Sequence, residues 1–220
     1  MVYLLDEVGR LNHYHPAAIS WLRDLGQAGA WIVFTGTEKD WHAVVRRALT
    51  APGSSFGNDV NSWELGPWTE RTALRFITST AAYLGVDLDR RNIGRAIIGR
   101  VGTWPFYLQV VGDAVVRAVR DGDLGPLQDD QRLDELIQRR LIDEWTIHFE
   151  GRWHEIGPIG RSALLDQDHE RVDLLTAAQR QDLRDVGLLR PGDEWLHDPP
   201  FYAWIARNAS ALRDRELQES

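Results

Sequence analysis

Short apolar runs placed between amphipathic segments constrain the fold of the first third of the chain most strongly. Residues 2–5 and 30–34 are runs of four and five apolar side chains, and runs of this length are typical of buried strands. Residues 16–27 lie between them with apolar side chains at helical spacing, and residues 41–49 follow the second run as another helix. A third short strand is predicted at residues 63–65, after a loop rich in Gly, Ser and Asn. The alternation of strands and helices predicts a parallel α/β sheet.

From Thr69 onward the pattern contains helices without further long strands. Thr69 is a predicted N-cap, and helices are predicted at residues 92–101 and 103–119. A long amphipathic helix is predicted over residues 133–155. The change of pattern indicates that an all-α region follows the α/β region.

The last third of the chain combines helices with one small hairpin. Helices are predicted at residues 159–165, 176–186 and 201–212, and Thr176 with Gln179 fits a capping box at the start of the second of these. A Pro-Gly-Asp turn at residues 191–193 separates two short apolar pairs, which predicts a hairpin. Two helices, a turn and a hairpin in this order are typical of a winged helix-turn-helix.

A polar segment over residues 121–131 contains two glycines and a proline, so a domain boundary is predicted there. The predicted domains are a partial α/β core over residues 1–66, a helical region over residues 67–125 and a winged helix over residues 126–220.

Asp6 and Glu7 directly follow the first predicted strand. In open α/β sheets the ligand lies outside the carboxyl ends of the strands. An Asp in this position can hold the Mg²⁺ bound to nucleotide phosphates, and the next Glu can orient or deprotonate an attacking water. The hexapeptide VYLLDE resembles a Walker B motif.

Thr35 and Thr37 follow the second predicted strand. This segment resembles the core strand of AAA+ proteins that ends in a polar sensor 1 residue, whose side chain would form a hydrogen bond with the attacking water or with the γ-phosphate. Both threonines qualify, and the sequence leaves the choice between them open.

Three further segments resemble motifs that occur together in one protein family. Residues 101–109, VGTWPFYLQ, resemble a G-x-x-P-x-x-L-Q motif, and residues 65–73, LGPWTERTA, resemble the L-x-P-L-(S/T)-x-x-E-A entry into a helical lid, with Thr72 in the usual acidic position. Residues 183–189 and 198–205 resemble the winged helix that follows. In this order the motifs resemble the C-terminal portion of STAND-type and archaeal-type AAA+ ATPases, which act as nucleotide switches in signal transduction.

The resemblance implies a function for each of these residues. Asp6 would hold Mg²⁺, Glu7 would be the catalytic residue that activates water, and Thr35 or Thr37 would sense the nucleotide together with Trp104 and Pro105. ATP and Mg²⁺ are the implied cofactors, and a protein effector is the implied partner. Residues 1–10 resemble neither a signal peptide nor a membrane span, so we expect a cytoplasmic location. Nucleotide exchange would move the lid and the winged helix relative to the sheet.

The phosphate-binding loop of such an ATPase has no counterpart in the sequence. No G-x-x-x-x-G-K-[ST] occurs, and Lys39, the one lysine, follows Thr37 and Glu38. We therefore expect no ATP hydrolysis by the chain alone, and we expect an N-terminal ATPase portion or a partner protein to supply the loop. One face or edge of the sheet should then be exposed, with a tendency to pair.

The alternative is a winged-helix module that binds DNA or protein and has no nucleotide function. Residues 121–220 carry 12 basic and 22 acidic side chains, which disfavours duplex DNA because its binding depends on cations that neutralise phosphates. The sequence contains no apolar stretch of membrane-spanning length, so we expect no membrane interaction.

Overall fold

The computed structural model describes residues 1–14, 16–36, 38–49, 60–61, 65–165, 174–190, 192 and 194–219. It divides the chain into two compact units, Met1–Glu64 and Leu65–Ser220. Thr37, Trp63 of the predicted third strand and nearly all of the predicted loop before it lie outside the described residues. The domain limits predicted after residues 66 and 125 stay predictions.

The first unit contains a two-stranded parallel sheet. Strand β1 (Val2–Leu5) pairs with β2 (Trp31–Phe34), with Val2 opposite Trp31 and Leu5 opposite Phe34. The described residues of this unit also form a 3₁₀ helix and two α-helices: Val8–His13, α1 (Pro16–Gln27) and α2 (Glu38–Leu49). The predicted parallel pairing and the predicted bounds of α1 are confirmed.

The two faces of this sheet differ in burial. Leu5, Ile32 and Phe34 pack against a small core contributed by the 3₁₀ helix, α1 and α2. The side chains of the opposite face are largely exposed: Val2 by 64%, Leu4 by 76%, Trp31 by 75% and Val33 by 43%. Parallel sheets are normally covered on both faces. The predicted exposure of an apolar sheet face is therefore confirmed within this chain.

The second unit is built from helices and one hairpin. Three longer helices come first: α3 (Glu70–Tyr83), α4 (Ile93–Val101) and α5 (Pro105–Arg120). Four shorter helices follow: α6 (Gly125–Gln128), α7 (Asp130–Ile137), α8 (Thr146–Glu155) and α9 (Pro158–Leu165). The unit ends with α10 (Ala177–Asp185), β3 (Leu189–Arg190), β4 (Glu194–Trp195) and α11 (Pro199–Glu219).

A single hydrophobic core joins the elements of the second unit. Its buried members include Ile77 from α3, Val111 from α5 and Leu133 from α7, together with Phe149 from α8 and Phe201 from α11. The described chain is thus mostly helical, with one small parallel sheet in the first unit. Within the described ranges, no helix is both long and apolar enough to cross a lipid bilayer.

The helix predicted over residues 133–155 is interrupted. Helix α7 ends at Ile137, a π-helical segment covers Gln138–Asp143, and α8 begins at Thr146. The Trp145 ring packs edge-on against Phe106 of α5, with 5.1 Å between ring centroids. Trp204 Nε1 of α11 donates a hydrogen bond of 2.9 Å to the Thr146 hydroxyl. These contacts lie at the interruption, which the periodicity of the sequence does not record.

Several local signals read from the sequence are confirmed. The Thr69 hydroxyl accepts a hydrogen bond of 3.2 Å from Thr72 N, so Thr69 is the N-cap of α3. Thr176 and Gln179 form both hydrogen bonds of the predicted capping box. The predicted hairpin is present as antiparallel β3 and β4, and Gly192 between them has a φ of 92°, which glycine adopts without strain.

Candidate functional site at the sheet edge

The main chain brings the residues after β1 and β2 together at one edge of the parallel sheet. Thr35 N donates to Leu5 O over 3.0 Å, and Val8 N donates to Thr35 O over 2.7 Å. These two hydrogen bonds continue the pairing of the strands past their ends. Asp6, Glu7 and Thr35 therefore lie in adjacent positions, as expected for the carboxyl ends of neighbouring parallel strands.

The side chains of Asp6 and Thr35 are in direct contact. The Thr35 hydroxyl donates a hydrogen bond to Asp6 Oδ1, and Glu7 N donates to the same oxygen over 3.0 Å. The Thr35 hydrogen bond, followed by the Glu7 N–H, lowers the pKa of Asp6 below its ordinary value because both favour the ionised carboxylate. Asp6 is thus held as an anion at the sheet edge.

Glu7 is placed beside Asp6 in an unusual backbone conformation. Its φ of 54° and ψ of 61° lie in the left-handed region, which costs a residue with a side chain on the order of 1–3 kcal/mol. Its carboxylate forms an ion pair with Arg10 in the following 3₁₀ helix. Glu7 occupies the predicted position, but activation of a water would require its carboxylate to separate from Arg10.

A magnesium ion at this edge would have few protein ligands. Among the residues that the structure describes, no cluster of three or more His, Cys, Asp or Glu side chains is positioned to hold a metal. Mg²⁺ in nucleotide sites commonly takes one or two carboxylates and completes its shell with phosphate oxygens and waters. A single ionised carboxylate at Asp6 fits that kind of site, while the Thr35 hydroxyl is already engaged by Asp6.

Trp104 and Pro105 belong to the second unit, where they start helix α5. Gly102 ends α4 with a φ of 72°, Trp104 is the N-cap of α5 in an extended conformation, and Pro105 is the first helical residue. Pro suits this position because the N–H it lacks would have no helical partner. The helix end predicted at residue 101 is confirmed, and α5 begins two residues after its predicted start at residue 103. The nucleotide-sensing role of Trp104 and Pro105 stays a prediction.

The indole of Trp104 has neighbours inside its own unit. The guanidinium carbon of Arg152 lies 6.0 Å from the ring centroid, a distance typical of a cation–π contact. The Trp104 indole nitrogen is buried without a hydrogen-bond partner among the described residues. The ring thus packs with Arg152 of α8, and any ligand would have to share it with that side chain.

The second unit also contains a buried polar cluster that was not predicted from the sequence. Asp198 is fully buried and forms an ion pair with Arg152. Its carboxylate also accepts from the Tyr107 hydroxyl over 3.3 Å and from Phe201 N over 3.2 Å. The signal in the sequence was an Asp immediately before Pro-Pro at a predicted helix start, where Asp is a favoured cap. Nothing in the sequence showed that the partner of Asp198 is 46 residues away.

The electrostatics of this cluster follow from burial. Burial and the nearby Asp198 charge raise the pKa of Tyr107 and the pKa of Tyr202 well above the ordinary value. Burial opposes the charge of Arg152, but the Asp198 carboxylate together with Tyr107 and Tyr202 outweighs that effect, so the pKa of the guanidinium is raised. Burial, with the Arg152 charge next, lowers the pKa of His148. The cluster therefore consists of the Arg152–Asp198 ion pair and two nearby tyrosines that stay neutral.

Comparison with protein-family models, with curated proteins and with solved structures found no match to this chain.

Proposed function

We propose that the chain is a nucleotide-dependent signalling switch module of the STAND type, active together with a P-loop supplied by another polypeptide segment or by a partner. The observation that carries this proposal is the hydrogen bond between Thr35 and Asp6. It joins the ends of two neighbouring parallel strands, which is where an α/β nucleotide site needs a carboxylate and a sensing hydroxyl. The cytoplasm, where Mg·ATP is abundant, is the compartment that this function requires.

Each residue at the edge has a defined task in this proposal. Asp6, whose anion accepts the Thr35 hydrogen bond, would bind a Mg²⁺ that neutralises charge on the nucleotide phosphates. The Thr35 hydroxyl, bonded to that carboxylate, would sense whether Mg²⁺ and nucleotide are bound there. Glu7 would orient the attacking water once its ion pair with Arg10 has broken. Residues 67–125 would act as the helical lid. In the region from α9 to α11, the hairpin would be the wing of a winged helix.

The exposed sheet face supports the need for a further segment. Val2, Leu4, Trp31 and Val33 form an apolar surface on the face opposite α1 and α2. Additional β-strand and helix units, such as those that carry a P-loop, cover this face in a doubly wound sheet. The P-loop would also bring the N–H groups and the lysine that balance the phosphate charge.

Calorimetry and phosphate release test the proposal with the chain alone and with a P-loop-bearing segment joined to it. The chain alone should bind Mg·ATP weakly or not at all and show no turnover. In the joined protein, Asp6→Asn should weaken Mg·ATP binding, while Glu7→Gln should leave binding intact and slow hydrolysis. ATP turnover by the chain alone that survives Glu7→Gln would overturn the proposal.

The second candidate is a protein-binding module without nucleotide function, and the exposed apolar sheet face favours it. An apolar surface of this kind marks an interaction site in many proteins. The two candidates differ in how they depend on Asp6. Partner binding that needs Leu4 and Trp31 but is unchanged by Asp6→Asn and by Mg·ATP would select the second candidate. Duplex DNA is the less favoured ligand, because residues 141–210 carry 7 Arg against 13 Asp and Glu.

A further inference from the structure

A surface depression of about 670 Å³ lies in the second unit, between α3 and the turn that leads into α4. Arg71, Leu74, Arg75 and Thr78 line it from one face of α3, at positions i, i+3, i+4 and i+7. Arg95 contributes from α4. The volume of the depression falls within the usual range of small-molecule sites, about 300–1,000 Å³.

The floor of the depression is closely packed. A Cβ at Gly94 would lie 3.0 Å from Leu74 Cδ1 and 3.0 Å from Thr78 Cγ2, which shows that α4 approaches α3 closely there. The Thr78 hydroxyl donates to Leu74 O over 2.9 Å, within its own helix. The floor is thus closely packed and offers little polar chemistry, so the charged side chains at the rim decide what can bind.

The arginines of the rim differ in their partners. Arg95 forms an ion pair of 2.8 Å with Glu70, so that pair is neutral. Within the part of the chain that the structure describes, the guanidinium groups of Arg71 and Arg75 form no ion pair and no hydrogen bond, while the main-chain oxygen of Arg75 accepts from the Ser79 hydroxyl. Two like charges one helical turn apart repel each other by a few tenths of a kcal/mol, and an anion between them removes that repulsion.

The turn beside the depression is conformationally strained. Arg91 has a φ of 61° and Asn92 a φ of 57°, two consecutive left-handed residues that carry side chains. Such conformations cost on the order of 1–3 kcal/mol each and cluster at ligand sites and switch regions. Asp89 of the same turn also lines the depression, so its carboxylate adds a negative charge and a hydrogen-bond acceptor to the lining.

We propose that this depression binds a small phosphomonoester, with the phosphate held by Arg71 and Arg75. Guanidinium groups bind phosphate oxygens in pairs, through planar and charge-assisted hydrogen bonds. Asp89 repels a second anionic group and accepts a hydrogen bond from a ligand hydroxyl. The ligand is therefore a phosphorylated hydroxy compound with one phosphate. This site lies within the second unit and does not depend on the nucleotide function proposed above.

The test measures binding of glycerol 3-phosphate and inorganic phosphate to the full chain by calorimetry and by amide chemical shifts. The double variant R71A/R75A should weaken glycerol 3-phosphate binding by about tenfold or more. The control variant R117A/R120A removes the same charge from exposed positions of α5 and should leave the affinity within about twofold. Asp89→Ala should reduce the preference for glycerol 3-phosphate over inorganic phosphate.

The possible outcomes separate clearly. Shifted amides around residues 71–78 and 89–95, lost in R71A/R75A and kept in R117A/R120A, support the site. Absence of binding by the unmodified chain at millimolar ligand overturns it, and so does an equal loss in both double variants, which would indicate non-specific charge attraction. If circular dichroism shows that R71A/R75A is misfolded, R71Q/R75Q provides the same measurement with a longer polar side chain.

Discussion

The Arg152 guanidinium and the Asp198 carboxylate form an ion pair in which the carboxylate is fully buried and the arginine side chain is 17% exposed. The pair connects α8 with the residue before α11. The Phe201 ring lies 4.8 Å from the guanidinium carbon, and the Tyr107 hydroxyl of α5 donates to the same carboxylate. Three helices of the second unit are thus joined at one buried charge.

Replacement of one member of this pair should destabilise the protein strongly. Asp198→Ala or Arg152→Met should each lower the free energy of unfolding by about 3–5 kcal/mol, because each leaves a buried charge without its partner. The double variant should lose less stability than the sum of the losses in the two single variants, since no unpaired charge remains. Denaturant unfolding followed by circular dichroism measures all three.

The exposed pair Arg140–Glu144, with an N–O distance of 2.9 Å, is the matched control. Glu144→Ala should cost less than about 1 kcal/mol, because solvent screens a pair at the surface. Equal losses for Glu144→Ala and Asp198→Ala would contradict the assigned importance of burial.

Stability should fall as the pH rises above the ordinary tyrosine range. The pKa of Tyr107 is raised by burial, so the unfolded chain loses its tyrosine proton at lower pH than the folded one does. The stabilisation is complete below a pH of about 10, the pKa of an unfolded tyrosine, and decreases above it by up to about 1.4 kcal/mol per pH unit for each buried tyrosine. Tyr107→Phe should reduce this slope in unfolding measured across alkaline pH. A slope that changes equally with Tyr83→Phe, an exposed tyrosine, would contradict the explanation.

The hydroxyl of Thr35 should control the ionisation of Asp6. Thr35→Val removes the hydrogen bond that contributes most to the lowered pKa of Asp6, so that pKa should rise toward its ordinary value. Thr35→Ser keeps a hydroxyl and should preserve the lowered pKa. Carboxyl carbon shifts of Asp6, followed by NMR titration from acid to neutral pH, measure the change. An unchanged midpoint in Thr35→Val would show that the contact does not persist in solution.

The two faces of the sheet should respond differently to the same substitution. Leu5→Thr places a hydroxyl against the core of the first unit and should cost about 1–2 kcal/mol. Leu4→Thr, at the adjacent and exposed position, should change stability by less than about 0.5 kcal/mol and reduce self-association in light scattering. A large loss of stability in Leu4→Thr would show that the face is covered in the free protein.

The local elements of this protein could be predicted from its sequence because the interactions that determine them join residues only a few positions apart. Thr69 caps α3 through Thr72 N, and Thr176 pairs with Gln179 three positions later. The apolar runs of β1 and β2 and the helix between them predicted the parallel pairing, since a strand–helix–strand unit connects parallel neighbours. Asp6 and Thr35 were placed at one sheet edge by that same rule.

Tertiary structure alone decided the contacts between distant residues. The sequence predicted one helix over residues 133–155, but a π-helical segment separates α7 from α8, and Trp145 packs on Phe106 and Thr146 accepts from Trp204 where α8 begins. Helical periodicity continues through such a break, because it records which side chains are apolar and not which neighbour buries them. In the sequence, Arg152 likewise cannot be distinguished from a surface arginine. Folding brings Asp198 next to it, and burial gives this ion pair its large effect on stability.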